Sequence, residues 1–237
     1  MTTALDSRII KTSDPSFIDE AIAVYKRGGV VIAPSTTNYI LTCDATNAEA
    51  IDRVFEIKKR SRKASPLCVA LPDVDALPAY VKLPEGFPQD AIDTLLPGEI
   101  VLIFDPNYEF PAQLFSGFST IGITVSPDRD FGALVKAYGK PIVGTSANIS
   151  GQGNIFVDLD KALADIGDGV DLILDGGPTV AAAFEDHKDR VNTIVDFTKG
   201  RPWLARTGFV PTEKVQAIFP DLNTDVDAYK AQLPKKN

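Results

Sequence analysis

Histidine is nearly absent from this sequence: His187 is the one imidazole among 237 residues. That excludes a multi-histidine metal site and leaves little for a Ser-His-Asp triad. Cysteine is scarce too. Cys43 and Cys68 show neither C-x-x-C nor metal-ligand spacing, so no disulfide framework and no metal site is expected. The reducing cytoplasm is the expected compartment. No apolar run approaches the length of a membrane span. The first ten residues hold no apolar stretch followed by a small-residue cleavage site, so no signal peptide is expected. An excess of base is also missing. The net charge of −8 makes the surface as a whole repel nucleic acid and anionic membrane. Any bound anion must therefore be held by a local cationic patch.

What is present suits a globular α/β chain. Hydrophobic residues make up 44% of it, enough for one large core or two small ones. Ser13-Asp14-Pro15 reads as a helix start, followed by Phe17, Ile18, Ala21, Ile22 and Tyr25 at helical spacing. Gly28-Gly29 ends that helix. The apolar run 30–33 predicts a buried strand. Thr46 or Asn47 caps a second helix with buried stripe Ala50, Ile51, Val54 and Phe55. Further strands are expected at 66–71, 100–104, 120–125, 141–144, 170–174, 193–197 and 203–205. Helical segments are expected at 74–81, 89–96, 131–138, 159–166 and 213–219. The opening dozen residues read as an edge strand or a loose arm, and 221–237 as a frayed tail. Several connections are too short for crossover helices, which predicts a mixed sheet.

Three stretches carry candidate chemistry. The first is Lys58-Lys59-Arg60-Ser61-Arg62-Lys63, five cations in six residues. Its plain reading is a solvated helix end, favoured by the helix dipole. Its position between a helix and a buried strand also lets Lys58 and Arg60 converge on phosphate. The second is the run from Gly144 to Gly151, with Thr145, Ser146 and Asn148 at a strand end, where open α/β sheets bind ligands. An ordinary turn and cap would use the same residues. The third is the loop from Pro34 to Tyr39, for which side chains capping their own backbone is the favoured reading.

The order of these strings is more specific than any one of them. Pro34-Ser35-Thr36-Thr37-Asn38-Tyr39, Ile57-Lys58-Lys59-Arg60, Pro66-Leu67, Thr145-Ser146-Ala147-Asn148-Ile149-Ser150-Gly151, Asp175-Gly176-Gly177-Pro178 and Leu204-Ala205-Arg206-Thr207-Gly208 succeed one another as in one family. The chain resembles the YrdC-like threonylcarbamoyl-adenylate synthases. The resemblance runs from about Gly28 to Val210. It implies a twisted open mixed α/β sheet with a concave basic face, formed by residues 1–210, with 211–237 as a C-terminal helix and tail.

The same resemblance implies an activity. Threonine, bicarbonate and ATP would give threonylcarbamoyl-AMP, which feeds N6-threonylcarbamoyladenosine modification of tRNA. Magnesium is expected to arrive with ATP, liganded mostly by phosphate and water. Matched position by position, Lys58, Arg60, Thr120, Ser146, Asn148 and Arg206 are nucleotide-binding. Ser35, Thr37, Tyr39, Thr145 and Thr193 fall on the substrate side.

The sequence departs from the family at the substrate end. An acidic residue gives way to Thr36 and a glycine to Ile40. The family's serine beside Thr193 has become Asn192. An arginine that can pair with the substrate carboxylate gives way to Thr124, a loss of about 2–5 kcal/mol unless another cation replaces it. Arg129 is the sequence's candidate replacement. The segment between Arg60 and Pro66 is about one residue longer than usual, so Lys63 and Ser65 both remain candidates for the family lysine. Three functions follow: a carbamate-adenylating enzyme, with threonine or a different acceptor; a module binding tRNA or double-stranded RNA; and a nucleotide sensor without turnover. Salt-dependent RNA affinity would favour the second, and turnover separates the first from the third.

Overall fold

The structure, a computed structural model, describes residues 6–62, 65–153, 155–185 and 190–233. Lys63, His187 and the last four residues of the expected tail lie outside the described residues. Helix α1 (Phe17–Lys26) starts where the Asp14 carboxylate accepts from the Ser16 amide at 2.9 Å. It buries Phe17, Ala21, Val24 and Tyr25. Helix α2 (Ala48–Ile57) is capped by Asn47, whose side chain accepts from the Ala50 amide at 3.0 Å. Its buried stripe is Ala50, Ile51, Val54 and Phe55, as the spacing predicts. The remaining helices are α3 (Leu77–Tyr80), α4 (Gln89–Leu95), α5 (Arg129–Tyr138), α6 (Leu159–Ile166), α7 (Thr212–Ile218) and α8 (Val226–Ala231).

The strands are β1 (Ile9–Lys11), β2 (Val31–Pro34), β3 (Tyr39–Asp44), β4 (Cys68–Ala70), β5 (Val81–Lys82), β6 (Ile100–Pro106), β7 (Ile121–Thr124), β8 (Ile142–Ser146), β9 (Leu172–Asp175), β10 (Thr193–Asp196) and β11 (Trp203–Arg206). They form one open mixed sheet in the order β1-β9-β2-β3-β8-β4-β7-β6-β10-β11, with β5 paired to β6. The N-terminal segment is the edge strand, parallel to β9. Strand β3 is absent from the sequence reading. It lies between β2 and β8 with all but Ile40 buried, so it shows no period-two alternation.

The sheet has two unlike faces. On one, Ile32, Val69, Leu102, Ile123 and Val143 join α2 and α6 in the larger core. On the other, Val31, Ala33, Ala70 and Ile142 pack under α1 and α5. The α1–α5 layer stops near Ala70 and Phe131. Beyond it the strands β8, β4, β7, β6 and β10 form an uncovered strip of small or polar residues, Gly144, Cys68, Gly122 and Thr124, bordered by the aliphatic Val101 and Ile194. A Cβ on Gly122 would come within 2.9 Å of the Val101 side chain, so this face admits no larger residue there.

The frayed-tail reading of 221–233 does not hold. Asn223 exchanges backbone hydrogen bonds with Leu204 and Pro202 at 2.8 and 2.9 Å. In α8, Tyr229 is buried and its hydroxyl donates to Asp196 Oδ2 at 2.8 Å. The rings of Phe87, Phe104, Phe197 and Phe219 pack together, mostly edge to face, with centroids 4.9–5.7 Å apart, fixing the C-terminal segment to β6 and β10. A charged, polar segment is thereby held by a few buried aromatic anchors.

Candidate functional site

The uncovered strip is the floor of a cleft of about 430 Å³. Its walls come from three places: the turn between β2 and β3, the segment after α2, and the ends of β8 and β11. The β2–β3 turn is self-capped. Ser35 Oγ donates to the Asn38 carbonyl at 2.7 Å, and the Ser35 amide donates to the same carbonyl at 3.0 Å. Asn38 ties this turn to distant chain, donating to the Arg190 carbonyl and accepting from the Val157 amide, both at 2.7 Å. Thr37 Oγ1 donates to Asn192 Oδ1 at 3.1 Å. The loop is therefore both self-capped and a wall of the cleft.

The basic run is split by one turn. The Lys59 amide donates to the Glu56 carbonyl at 3.0 Å and the Arg60 amide to Phe55 at 2.8 Å, with Lys59 at φ +49°. This left-handed closure of α2 sends successive side chains in different directions. Lys58 goes inward and is 1% exposed. Its Nζ donates to the Ser146 carbonyl and, at 2.6 Å, to the Asn148 carbonyl. Burial pushes the Lys58 ammonium down to about 7, and the charge of Arg60 adds to the fall. Lys59 is exposed. Arg60 enters the cleft. Arg62 turns outward to pair with Asp52 and covers the Phe55 ring.

Lys58, expected at the phosphates, sits beneath the loop after β8 and is not among the residues lining the cleft. Both of its hydrogen-bond partners are backbone carbonyls. Arg60 and Arg206 do line it. One Arg60 Nη donates to the Ser65 carbonyl at 2.7 Å, while its buried Nε has no partner. Arg206 Nε donates to the Asn192 carbonyl at 2.9 Å. Gly208 lets β11 approach so closely, since a Cβ there would overlap the Val191 carbonyl and the Thr193 amide. Burial lowers the pKa of both guanidiniums, and the Cys68 thiol between them is the one group opposing that fall. Cys68 and Cys43 are free thiols. Two half-buried cations with no carboxylate partner among the described residues suit an anion, since a guanidinium stays charged at neutral pH.

The other expected residues divide in the same way. Ser35, Thr37, Thr145 and Ser146 line the cleft. Asn148 lies behind it; its Nδ2 donates to the Ile149 carbonyl at 3.0 Å and its Oδ1 is buried without a partner. Tyr39 is buried and donates to the Gly177 carbonyl at 2.8 Å, holding the turn after β9. Thr193 is fully buried, and its hydroxyl pins Val210 through bonds of 2.7 and 3.0 Å. Thr120, just before β7, stands outside the lining. Arg129 is no replacement cation: its side chain is 88% exposed and paired with Asp130. Ser65, the described candidate for the family lysine position, lines the cleft and holds Arg60 through its carbonyl.

Glu99 was not singled out by the sequence. It lines the cleft, is 5% exposed, and its Oε1 is buried with no hydrogen-bond partner. Burial pushes its carboxyl up to about 7; Asp128 adds to the rise, while hydrogen bonding from Thr36 and Asn192 opposes it. An acid at the start of an apolar strand reads as a solvent-facing end, which hid it. Thr124 and Ser126 complete this end of the cleft. Among the described residues, no group of three or more His, Cys, Asp or Glu side chains forms a metal site.

The sequence matches the family described as Telomere recombination (Sua5, yciO, yrdC) over residues 23–208. The chain belongs to this family. Among its relatives is the threonylcarbamoyl-AMP synthase of Bos taurus, 35% identical over 161 residues, covering 67% of this chain and 55% of that protein. The Bacillus subtilis protein of the same name is 28% identical over 225 residues, covering 91% and 60%. The chain spans between half and two thirds of the length of the mammalian relatives, 55% in the bovine case and 65% in the rat. The P. abyssi Sua5 structure complexed with L-threonine superposes with a TM-score of 0.80 at 23% identity, covering 93% of this chain and 63% of that one. That likeness bears out the open mixed α/β sheet.

Proposed function

We propose that this chain forms a carbamoyl-adenylate from ATP, bicarbonate and an amine, with L-threonine as the amine. The observation that carries the reading is the pair Arg60 and Arg206, half-buried in one cleft with no carboxylate partner among the described residues. Two fixed guanidiniums suit the phosphates of a nucleotide and the pyrophosphate that leaves. The relatives named threonylcarbamoyl-AMP synthase support the choice of reaction, and the threonine bound in the P. abyssi protein supports the amine.

In this reading a carbamate oxygen attacks the α-phosphorus of ATP and pyrophosphate departs. The protein aligns the reactants and neutralises charge. Arg60 and Arg206 face the phosphates. Ser146 and Thr145, at the end of β8, offer hydroxyls to the nucleotide or amine. Lys58 and Asn148 act from behind, holding the loop that carries Ser146. Ser35 and Thr37 shape the amine end. Thr193, Tyr39 and Thr120 take no direct part. Glu99 is the one carboxylate lining the cleft among the described residues, so the protein offers no cage for Mg2+. The ion would be held by phosphate and water, and it would screen the triphosphate. A role in tRNA modification goes with a cytoplasmic location and a tRNA partner. Among the described residues, no helix is long and apolar enough to cross a membrane.

Thr124 favours a second reading, a different acceptor amine, because among the described residues no cation stands at that place. Pyrophosphate release tests both. Release that requires threonine and bicarbonate together supports the first. Release that needs bicarbonate and a different amine selects the second. ATP binding with no turnover on any amine overturns both in favour of a sensor.

A further inference from the structure

The cleft has opposite chemistry at its two ends. Arg60 and Arg206 flank Cys68 at one end. At the other, the groups that act on Glu99 among the described residues are uncharged donors and one acid. Thr36 approaches from the β2–β3 turn and Asn192 from the segment before β10, while Thr124 and Ser126, from β7 and the residues after it, line the same cleft. From the start of α5, Asp128 adds negative potential. Its neighbours Arg129 and Asp130 are paired with each other, and Arg129 points to solvent. Arg206 reaches this end only through the Asn192 carbonyl. A buried carboxylate with an empty acceptor is unfavourable unless a ligand supplies the donor.

We propose that the carboxylate of Glu99 receives the ammonium group of the amine substrate and takes the proton that group loses on becoming a carbamate. This rests on the carbamoyl-adenylating reading and names the part of the amine that the site recognises. The step balances. The substrate R-NH3+ and HCO3− give R-NH-COO−, water and one proton. An N–C bond forms and a C–OH bond breaks. The departing hydroxide takes one N–H proton to leave as water, and Glu99 takes the second. The third hydrogen stays on the carbamate nitrogen. Thr124 is consistent with this division of labour. This end reads a positive group, so it needs no arginine for a carboxylate.

A carboxyl pushed up to about 7 is ionised above that pH and neutral below it. Affinity for an ammonium group should therefore rise as pH goes from 6 to 8. The experiment is calorimetric titration of the full chain holding a non-hydrolysable ATP analogue. The probes are L-threonine and 2,3-dihydroxybutanoate, in which a hydroxyl replaces the amine. Wild type should prefer threonine, and increasingly so with pH. Glu99→Gln should bind threonine at least about tenfold more weakly, with no pH dependence. It should bind the dihydroxy acid about as wild type does. Glu99→Asp keeps the charge, so it should keep the pH dependence even if affinity falls, and it guards against a folding defect in the glutamine variant. Equal threonine affinity in Glu99→Gln, an unchanged pH profile, or no threonine binding by wild type overturns the proposal. Failure of the functional reading looks different: the Glu99-dependent binding persists, but wild type releases no pyrophosphate.

Discussion

Replacing Lys58 with methionine separates an ammonium that holds the fold from one that grips phosphate. The side chain is 1% exposed and its Nζ donates to the Ser146 and Asn148 carbonyls. Methionine fills much the same space but donates nothing. Each carbonyl left dry and unpaired costs about 1–3 kcal/mol. Relief from burying a charge offsets part of that, so a net loss of about 1–3 kcal/mol at neutral pH is expected. The pH dependence is more diagnostic than the size. Burial lowers the folded pKa to about 7 from an ordinary 10.5. Between those values the unfolded chain binds the extra proton, so the contribution of Lys58 to stability rises with pH. It amounts to about 2 kcal/mol between pH 7 and 9. The methionine variant lacks this rise, so its deficit against wild type should grow over that range. Urea unfolding at three pH values, followed by fluorescence, measures the difference and cancels the titration of every other group. A deficit that stays flat with pH, or a variant as stable as wild type that has lost ATP binding, would place the ammonium in the nucleotide site and refute the argument.

Four other outcomes follow from the same geometry. Arg206→Met should weaken binding of an ATP analogue by about tenfold or more, because the cleft loses one of the two cations that line it among the described residues; calorimetry checks this. Gly144→Val should leave thermal stability within about 1 kcal/mol of wild type while blocking that binding. A Cβ at this strand position meets only the Ile40 side chain, at 3.8 Å, and projects into the cleft. Lys59→Gly should stabilise the protein by about 1 kcal/mol in urea unfolding, since glycine takes φ +49° without a Cβ clash. Tyr229→Phe should cost about 1–2 kcal/mol, measured in the same way, because the Asp196 carboxylate loses a buried hydrogen bond and the C-terminal helix loses its polar anchor.

The fold was legible wherever local chemistry decides it. The Asn47 cap and the stripe of α2 follow from a side chain placed to meet an amide and from apolar residues three and four apart. β3 was hidden because burial on both faces erases alternation, and α8 because one buried tyrosine and one bridged asparagine outweigh a polar composition. The site was legible as a set of segments and opaque as a set of roles. Lys58 and Arg60 stand two residues apart in a run of like charge. Only the left-handed turn at Lys59 decides that one lies under the β8 loop and the other lines the cleft. The sequence holds the cations that could bind phosphate; the backbone closure selects among them. Glu99 illustrates the converse. Nothing local marks it, because its character comes from three distant segments that bring Thr36, Asn192 and Asp128 against one carboxylate. The departures at Thr36 and Thr124 were visible as losses. The structure sets both beside one acid: Thr36 acts on Glu99, just before β6, and Thr124 lines the same cleft with its hydroxyl turned to the Gly98 carbonyl, so the charge at this end of the cleft is carried by a different segment.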